Sequence, residues 1–169
     1  MNYLHHCQSP LGGITMASNG EALIGLWFDE QKYFADTIES GAWEKHLPIF
    51  ALTDMWLDTY FSGTDPDFTP QLEMCTTPFR KTVWKIMLAI TFGQTMTYGQ
   101  IAEKIAHEKG LKKMSAQAVG SAVAHNSISL IIPCHRVIGA TGKLTGYAAG
   151  LDKKIKLLKL EKNAIKFCK

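Results

Sequence analysis

The run Ile131-Ile132-Pro133-Cys134-His135-Arg136-Val137-Ile138-Gly139 sets the strongest condition on how this chain folds: an apolar stretch that seeks burial carries a thiol, an imidazole and a guanidinium side by side. Such groups are costly in a core unless they do chemistry. Pro133 restricts Ile132 to extended backbone, so the run reads as a strand that ends at the cysteine. Neighbours in extended backbone project to opposite sides, so His135 is poorly placed to touch the Cys134 sulfur; a bridging water or a bend at the cysteine is needed. Cys7, Cys75 and Cys168 have no activating neighbours and read as inert small hydrophobes.

With 169 residues, 46% of them hydrophobic and 20% charged, the chain is long enough to bury a sizeable core as one domain or two small ones. The four cysteines are far apart with no paired spacing, and no positive-apolar-small leader precedes them, so a reduced, cytoplasmic protein is expected. No apolar run approaches the ~20 residues of a membrane span, and no membrane association is expected. The formal net charge of +3 permits a polyanionic partner without demanding one.

The first half reads as strand and helix. GGITMASNGEALIGLWF places β-rich runs on either side of Asn19-Gly20, a dipeptide that accepts positive φ at both turn positions, which predicts a hairpin. From about Leu47 to Phe61, Ile49, Leu52, Met55, Trp56, Tyr60 and Phe61 recur at helical steps, with Gly63 as a stop. SGTDPDFTPQLEM has two prolines and little periodicity and marks a boundary near residue 76.

In the second half, Thr77 is placed to cap a helix, Pro78 to occupy its first position, and Phe79, Val83, Trp84, Met87 and Ile90 to form its buried stripe. TYGQIAEKIA reads as a short helix capped by Thr97. SAQAVGSAVAHN reads as another, capped by Ser115 and built of small residues that allow close approach to another surface or tight packing on a neighbour. Two short helices joined by a turn predict a helix-turn-helix. The fold class is therefore α/β of the α+β kind: a small N-terminal sheet-and-helix domain over residues 1–76, then a mostly helical domain with a helix-turn-helix over 77–169. The last helix, LDKKIKLLKLEKN onward, is basic and amphipathic. On residue pattern alone Ile155, Leu158 and Ile165 form its core face, and Glu161 is a surface charge among lysines. Tyr98 reads equally well as an ordinary half-buried tyrosine.

PCHRV, together with YGQIA, the Ala-Val-Gly helix ending in Asn126 and LTGYAAGLDKK, closely resembles the O6-alkylguanine-DNA alkyltransferase family over about residues 77 to 161. The resemblance implies stoichiometric DNA repair: the Cys134 thiolate takes the alkyl group from O6 of guanine in double-stranded DNA, with O4-alkylthymine as a further substrate to consider. It implies a relay of Cys134, His135 through a water, and Glu161; Asn126 bracing the active-site turn; and Tyr98 donating toward guanine N3. It further implies substrate or DNA contacts from Gln117 and Gly120 on the small-residue helix, from Arg136, Val137, Tyr147 and Ala148, and from Lys154 near the pocket mouth. In this family the small-residue helix lies in the minor groove while the damaged nucleotide is rotated out.

The chain departs from the family pattern at Gln117, where relatives usually carry an arginine that fills the space of the extruded base; glutamine is shorter and neutral. The turn IAHEKGLKKMSA is long, and its Lys109, Lys112 and Lys113 are candidates for replacing lost phosphate attraction. His5, His6 and Cys7 cluster without a fourth ligand, so no metal is expected, and no cofactor; the chain is expected to act as a monomer. A lesion binder that lacks the acceptor cysteine is argued against by Cys134. A plain DNA-binding regulator using the same helix pair is the other alternative.

Overall fold

The computed structural model describes residues 1–167, with side chains through Lys162; Cys168 and the side chain of Ile165 lie outside the described residues. Strands β1 (Tyr3–Ser9), β2 (Gly12–Ser18), β3 (Leu23–Phe28) and β4 (Trp43–Glu44) form a sheet in the order β3-β2-β1-β4. Its pairs are antiparallel except β1 with β4. The expected hairpin is β2–β3, but its connection spans residues 19–22 rather than two. Only Gly20 takes a positive φ there, and the Asn19 side chain instead accepts from the backbone N–H groups of Glu21 and Ala22 at 3.0 and 2.9 Å. An Asx-type turn thus replaces the mirror-image turn that Asn-Gly favours. β1, with its polar His-His-Cys-Gln-Ser sequence, carries little strand signal of its own and is made a strand by seven-residue pairing with β2.

Helix α1 (Pro48–Phe61) buries Ile49, Phe50, Thr53, Trp56, Leu57 and Tyr60. The expected stripe is corrected by about one position: Leu52 and Met55 are exposed, because the helix meets the sheet through the neighbouring residues Phe50, Thr53 and Leu57. Gly63, at φ 87°, follows the helix end as expected.

Helices α2 (Pro78–Leu88), α3 (Tyr98–Glu108) and α4 (Ala116–Ala124) follow, with Thr77, Thr97 and Ser115 as their N-caps; Thr97 and Gln100 complete a capping box. Each cap satisfies an N–H that the helix itself leaves open, which is why these starts are legible locally. Trp84 Nε1 donates to the Ala122 carbonyl at 2.9 Å, pinning α4 to α2, while Val119, Ala122 and Val123 face inward. The two-stranded pair β5 (Met96–Thr97) and β6 (Val137–Ile138) precedes α3 and follows the cysteine turn. Helix α5 (Leu151–Phe167) closes the chain.

The free edge of β3 is covered by two later segments. Leu23 exchanges backbone hydrogen bonds with Gln71 and Glu73, and Leu26 with Ser127 and Ser129, each at 2.8 to 2.9 Å. The second of these segments leads into Cys134, so the sheet edge holds the stretch that delivers the cysteine. One apolar core runs through both halves, from Ile14, Leu26 and Phe28 through Trp84 to Ile128 and Leu157. No helix among the described residues is long and apolar enough to cross a membrane.

Candidate active site

The run from Ile131 to Cys134 is not the strand its composition predicts; it is the end of a longer turn segment, 127–136. That segment is a buried series of turns, with Leu130 at φ 70°, that ends in a 3-10 turn over Cys134–Arg136. Buried turns need partners for their backbone groups. Asn126, itself buried, supplies two of them: its amide donates to the Ile132 carbonyl at 2.7 Å and its carbonyl accepts from the Ile128 N–H at 3.0 Å. The chain therefore bends at the cysteine, and Cys134, His135 and Arg136 leave the turn in different directions.

His135 is fully buried, and its Nε2 lies 2.7 Å from Glu161 Oε1. Its Nδ1 has no protein partner among the described residues. Glu161 is buried too and saturated with donors. Arg136 grips it through Nε and Nη2 at 3.0 to 3.1 Å, and the Gly93 N–H donates to Oε2 at 3.1 Å. Tyr60 of α1 donates its hydroxyl to Oε1 at 2.8 Å. Burial pushes the Glu161 carboxyl upward, but hydrogen bonds from His135 and Arg136, with the Arg136 charge, outweigh it and hold the group at about 2. Burial pushes the His135 imidazole down, so the ring is neutral at rest; Glu161 works against that shift. A carboxylate only accepts, so Nε2 carries the ring hydrogen and Nδ1 is the free base.

On the other side of the turn, Cys134 is 4% exposed at the floor of a cavity of about 320 Å³. Tyr98, Gly120, Tyr147 and Ala148 line it, along with Val123 and Ala124 of α4. Burial raises the thiol, while the Asn126 amide, the Lys154 charge and the Tyr147 hydroxyl act to lower it. The Tyr98 hydroxyl is raised by burial and so keeps its proton at neutral pH.

The cavity, the inward-facing imidazole and the cysteine between them are what the comparisons with known proteins explain. The model of the 6-O-methylguanine DNA methyltransferase DNA-binding domain matches residues 78–163, and that of the ribonuclease-like domain of the same proteins matches residues 2–74. The chain belongs to the 6-O-methylguanine DNA methyltransferase family. A methylated-DNA–protein-cysteine methyltransferase of Mycobacterium leprae is 39% identical over 95% of this chain and 94% of its own. One of Methanosarcina mazei is 42% identical over 97% and 99%. The crystal structure of Mycobacterium tuberculosis OGT in complex with DNA superimposes with a TM-score of 0.83 at 38% identity, covering 96% of this chain and 94% of that one. The reaction class follows from membership: methyl transfer from methylated DNA to a protein cysteine, in DNA repair.

Against the residues singled out for this methyltransferase, the geometry divides. Cys134, Tyr98, Gly120, Tyr147 and Ala148 share the cavity, and His135, Glu161 and Asn126 lie behind its floor. Arg136 does not fit the expectation of a substrate or DNA contact: its guanidinium is spent on Glu161 and on the Ile90 carbonyl at 2.6 Å. Lys154 is not a cation at the mouth. Its fully buried ammonium donates to the carbonyls of Val137, Thr145 and Gly146 at 2.6 to 3.2 Å, tying the cavity loop to the cysteine turn. The Val137 side chain is buried and absent from the cavity lining. Gln117 is exposed on the first turn of α4, one turn before Gly120, and is not among the residues lining the cavity.

Lys32 and Tyr33 of the first half line the cavity mouth, and Tyr33 stacks on His125 with ring centroids 4.0 Å apart. Their loop has no periodic signal to mark it. The three candidate metal ligands do not converge: His5 binds Asp54 of α1, whereas His6, next along β1, turns to Thr15 and Glu44.

Proposed function

We propose that Cys134 accepts the alkyl group from O6 of guanine in duplex DNA, irreversibly and once per molecule. The observation that carries this reading is a single thiol at the floor of a planar-base-sized cavity, backed by a buried imidazole whose outward nitrogen is unpartnered and whose inward nitrogen is fixed by a carboxylate. The thiol proton passes through a water to His135 Nδ1, and Glu161 stabilises the imidazolium so formed. Sulfur attacks the alkyl carbon; the carbon–sulfur bond forms as the carbon–oxygen bond breaks. Guanine departs as Tyr98 donates toward its N3. The product thioether is not cleaved by water, so nothing regenerates the thiol.

A stacked guanine presents its O6 substituent in the major groove, where sulfur cannot align behind the alkyl carbon, so the nucleotide has to be rotated into the cavity. Gly120 faces the Tyr98 ring with room to spare, and α4 carries only small side chains on its outer face beside Gln117, which suits close approach to the minor groove. One chain holds the full set of groups and acts alone, in the reducing cytoplasm, with residues 1–76 bracing the turn and 77–169 meeting DNA. The test reads the DNA product. A duplex containing O6-methylguanine, treated with excess protein, is expected to return with intact guanine in an uncut strand; release of a free base or a nicked strand would overturn the reading.

Gln117 gives a second expectation. Lys109, Lys112 and Lys113 are all exposed cations of the turn, and Lys109 also stands 5.9 Å over the Phe79 ring. Gln117→Arg adds a cation beside them and should tighten binding to undamaged duplex, steepen the slope of log-affinity against log-salt by up to ~1, and speed transfer. An unchanged slope in Gln117→Arg, together with no flattening when Lys109, Lys112 and Lys113 are neutralised, would remove α4 from the groove.

A further inference from the structure

Tyr60 stands 101 residues before Glu161 in sequence and on the other half of the molecule, yet its side chain enters the relay. Its ring packs on Trp56 at 5.3 Å and nearly parallel, and edge-on against Phe61 and Phe92 at 5.4 and 5.9 Å. Phenylalanine would fill that space equally well. What tyrosine adds is a fully buried hydroxyl, which is costly unless bonded, and this one lies 2.8 Å from Glu161 Oε1 and 3.2 Å from His135 Nε2.

The two contacts have fixed senses. A hydroxyl has one hydrogen, and the ionised carboxylate can only accept, so that hydrogen goes to Glu161. Toward Nε2 the oxygen is then left as an acceptor, and Nε2–H is shared between Glu161 at 2.7 Å and Tyr60 at 3.2 Å. Both acceptors favour the tautomer with hydrogen on Nε2, and both favour the imidazolium over the neutral ring. Arg136 opposes them: it draws on the same carboxylate oxygen and its charge disfavours a cationic ring. Without Tyr60, Nε2–H would keep a single acceptor, Glu161 Oε1, an oxygen that Arg136 also draws on.

We propose that Tyr60 is a positioning residue of the methyl-transfer relay, its hydroxyl holding the Nε2–H tautomer of His135 against the pull of Arg136 so that Nδ1 stays free to take the thiol proton. This rests on the reading of Cys134, His135 and Glu161 given above and adds to it a group from the first half of the chain. The proton balance is unchanged: Tyr60 keeps its hydrogen throughout, and the thiol proton ends on Nδ1.

The test compares wild type, Tyr60→Phe and Thr53→Val in single-turnover transfer from an O6-methylguanine duplex at saturating DNA, with ¹⁵N spectra of the His135 ring. Thr53→Val removes another buried hydroxyl of α1, one bonded only to the Ile49 carbonyl, and controls for stability. Tyr60→Phe is expected to slow transfer ~10-fold, a fraction of the ~10²-fold that loss of acid–base assistance brings, with DNA affinity unchanged. Its His135 spectrum should shift from the Nε2–H form toward a mixture, while Thr53→Val keeps wild-type rate and spectrum. Wild-type rate and spectrum in Tyr60→Phe would overturn the proposal, and so would an Nδ1–H ring in the wild type, a result that needs no variant to fold. Absence of methyl transfer in the wild type would instead sink the underlying reading.

Discussion

Cys134→Ser is expected to abolish methyl uptake while leaving binding to lesion-containing duplex intact. The substitution changes one atom at the cavity floor, so the turn held by Asn126 and the cavity walls of Tyr98, Gly120 and Tyr147 are kept. Chemistry is lost because a serine hydroxyl ionises far less readily than a thiol, and the neutral His135 behind it is too weak a base to make up the difference. Binding survives because duplex affinity comes mainly from phosphate contacts outside the cavity. The measurement is a gel-shift titration beside a transfer assay on the same preparation. Residual transfer at the wild-type rate would move the acceptor to another residue. The Cys75 thiol is raised by partial burial and then by the Glu73 charge, and Cys7 is pushed up to about 12 by burial and then by Asp54, so neither is a competent substitute at neutral pH.

Glu161→Gln is expected to damage both stability and rate. The amide leaves Arg136 buried without its counter-charge, and breaking one side of a buried ion pair costs about 3–5 kcal/mol. It also presents an N–H to a shell made entirely of donors: Tyr60, His135, Arg136 and Gly93. Loss of the relay should slow transfer by ~10²-fold in the molecules that remain folded. The pH dependence carries a sign. Because the folded carboxyl is held at about 2 against an ordinary 4.5, its contribution to stability is complete above about 4.5 and is lost as pH falls toward 2. Urea unfolding of wild type should therefore weaken across that window, and the glutamine variant should lack this part of the slope. Equal slopes in the two proteins would mean that the ionised Glu161 does not support the fold.

The contrast between Glu161 and the helix caps shows what was legible in the residues alone. Thr77, Thr97 and Ser115 start their helices where expected because capping is settled within one turn of chain. Helix α5 misleads for the opposite reason. Its buried line is Lys154, Leu157 and Glu161, whereas periodicity picks Ile155 and Leu158, which are only partly buried. Polar residues take the inner face because partners outside the helix, three backbone carbonyls for Lys154 and Arg136, His135 and Tyr60 for Glu161, satisfy them there. No pattern within the helix signals those partners.

The cysteine run fails as a strand on similar grounds. Its Ile-Ile-Pro start reads as extended, but Asn126 holds the Ile132 carbonyl, and turn bonds within 128–136 take backbone groups that a strand would have given to a neighbour. The bend at the cysteine that geometry demands is present, and it resolves the objection that adjacent side chains face apart. The resemblance to the alkyltransferases pointed to Glu161 and Asn126 where residue pattern pointed elsewhere. It pointed less well to Arg136 and Lys154, because a cation beside an active site reads as a ligand contact until its burial is known.

The central claim, that Cys134 is the single-use acceptor, is tested most directly by the mass of the intact protein after mixing with a duplex containing O6-methylguanine, followed by mapping of the modified peptide. The expected result is a gain of one methyl group per molecule, never exceeding the amount of protein, on the peptide that holds Cys134. Multiple turnovers, an unmodified protein beside repaired DNA, or methyl on Cys7, Cys75 or Cys168 would contradict it.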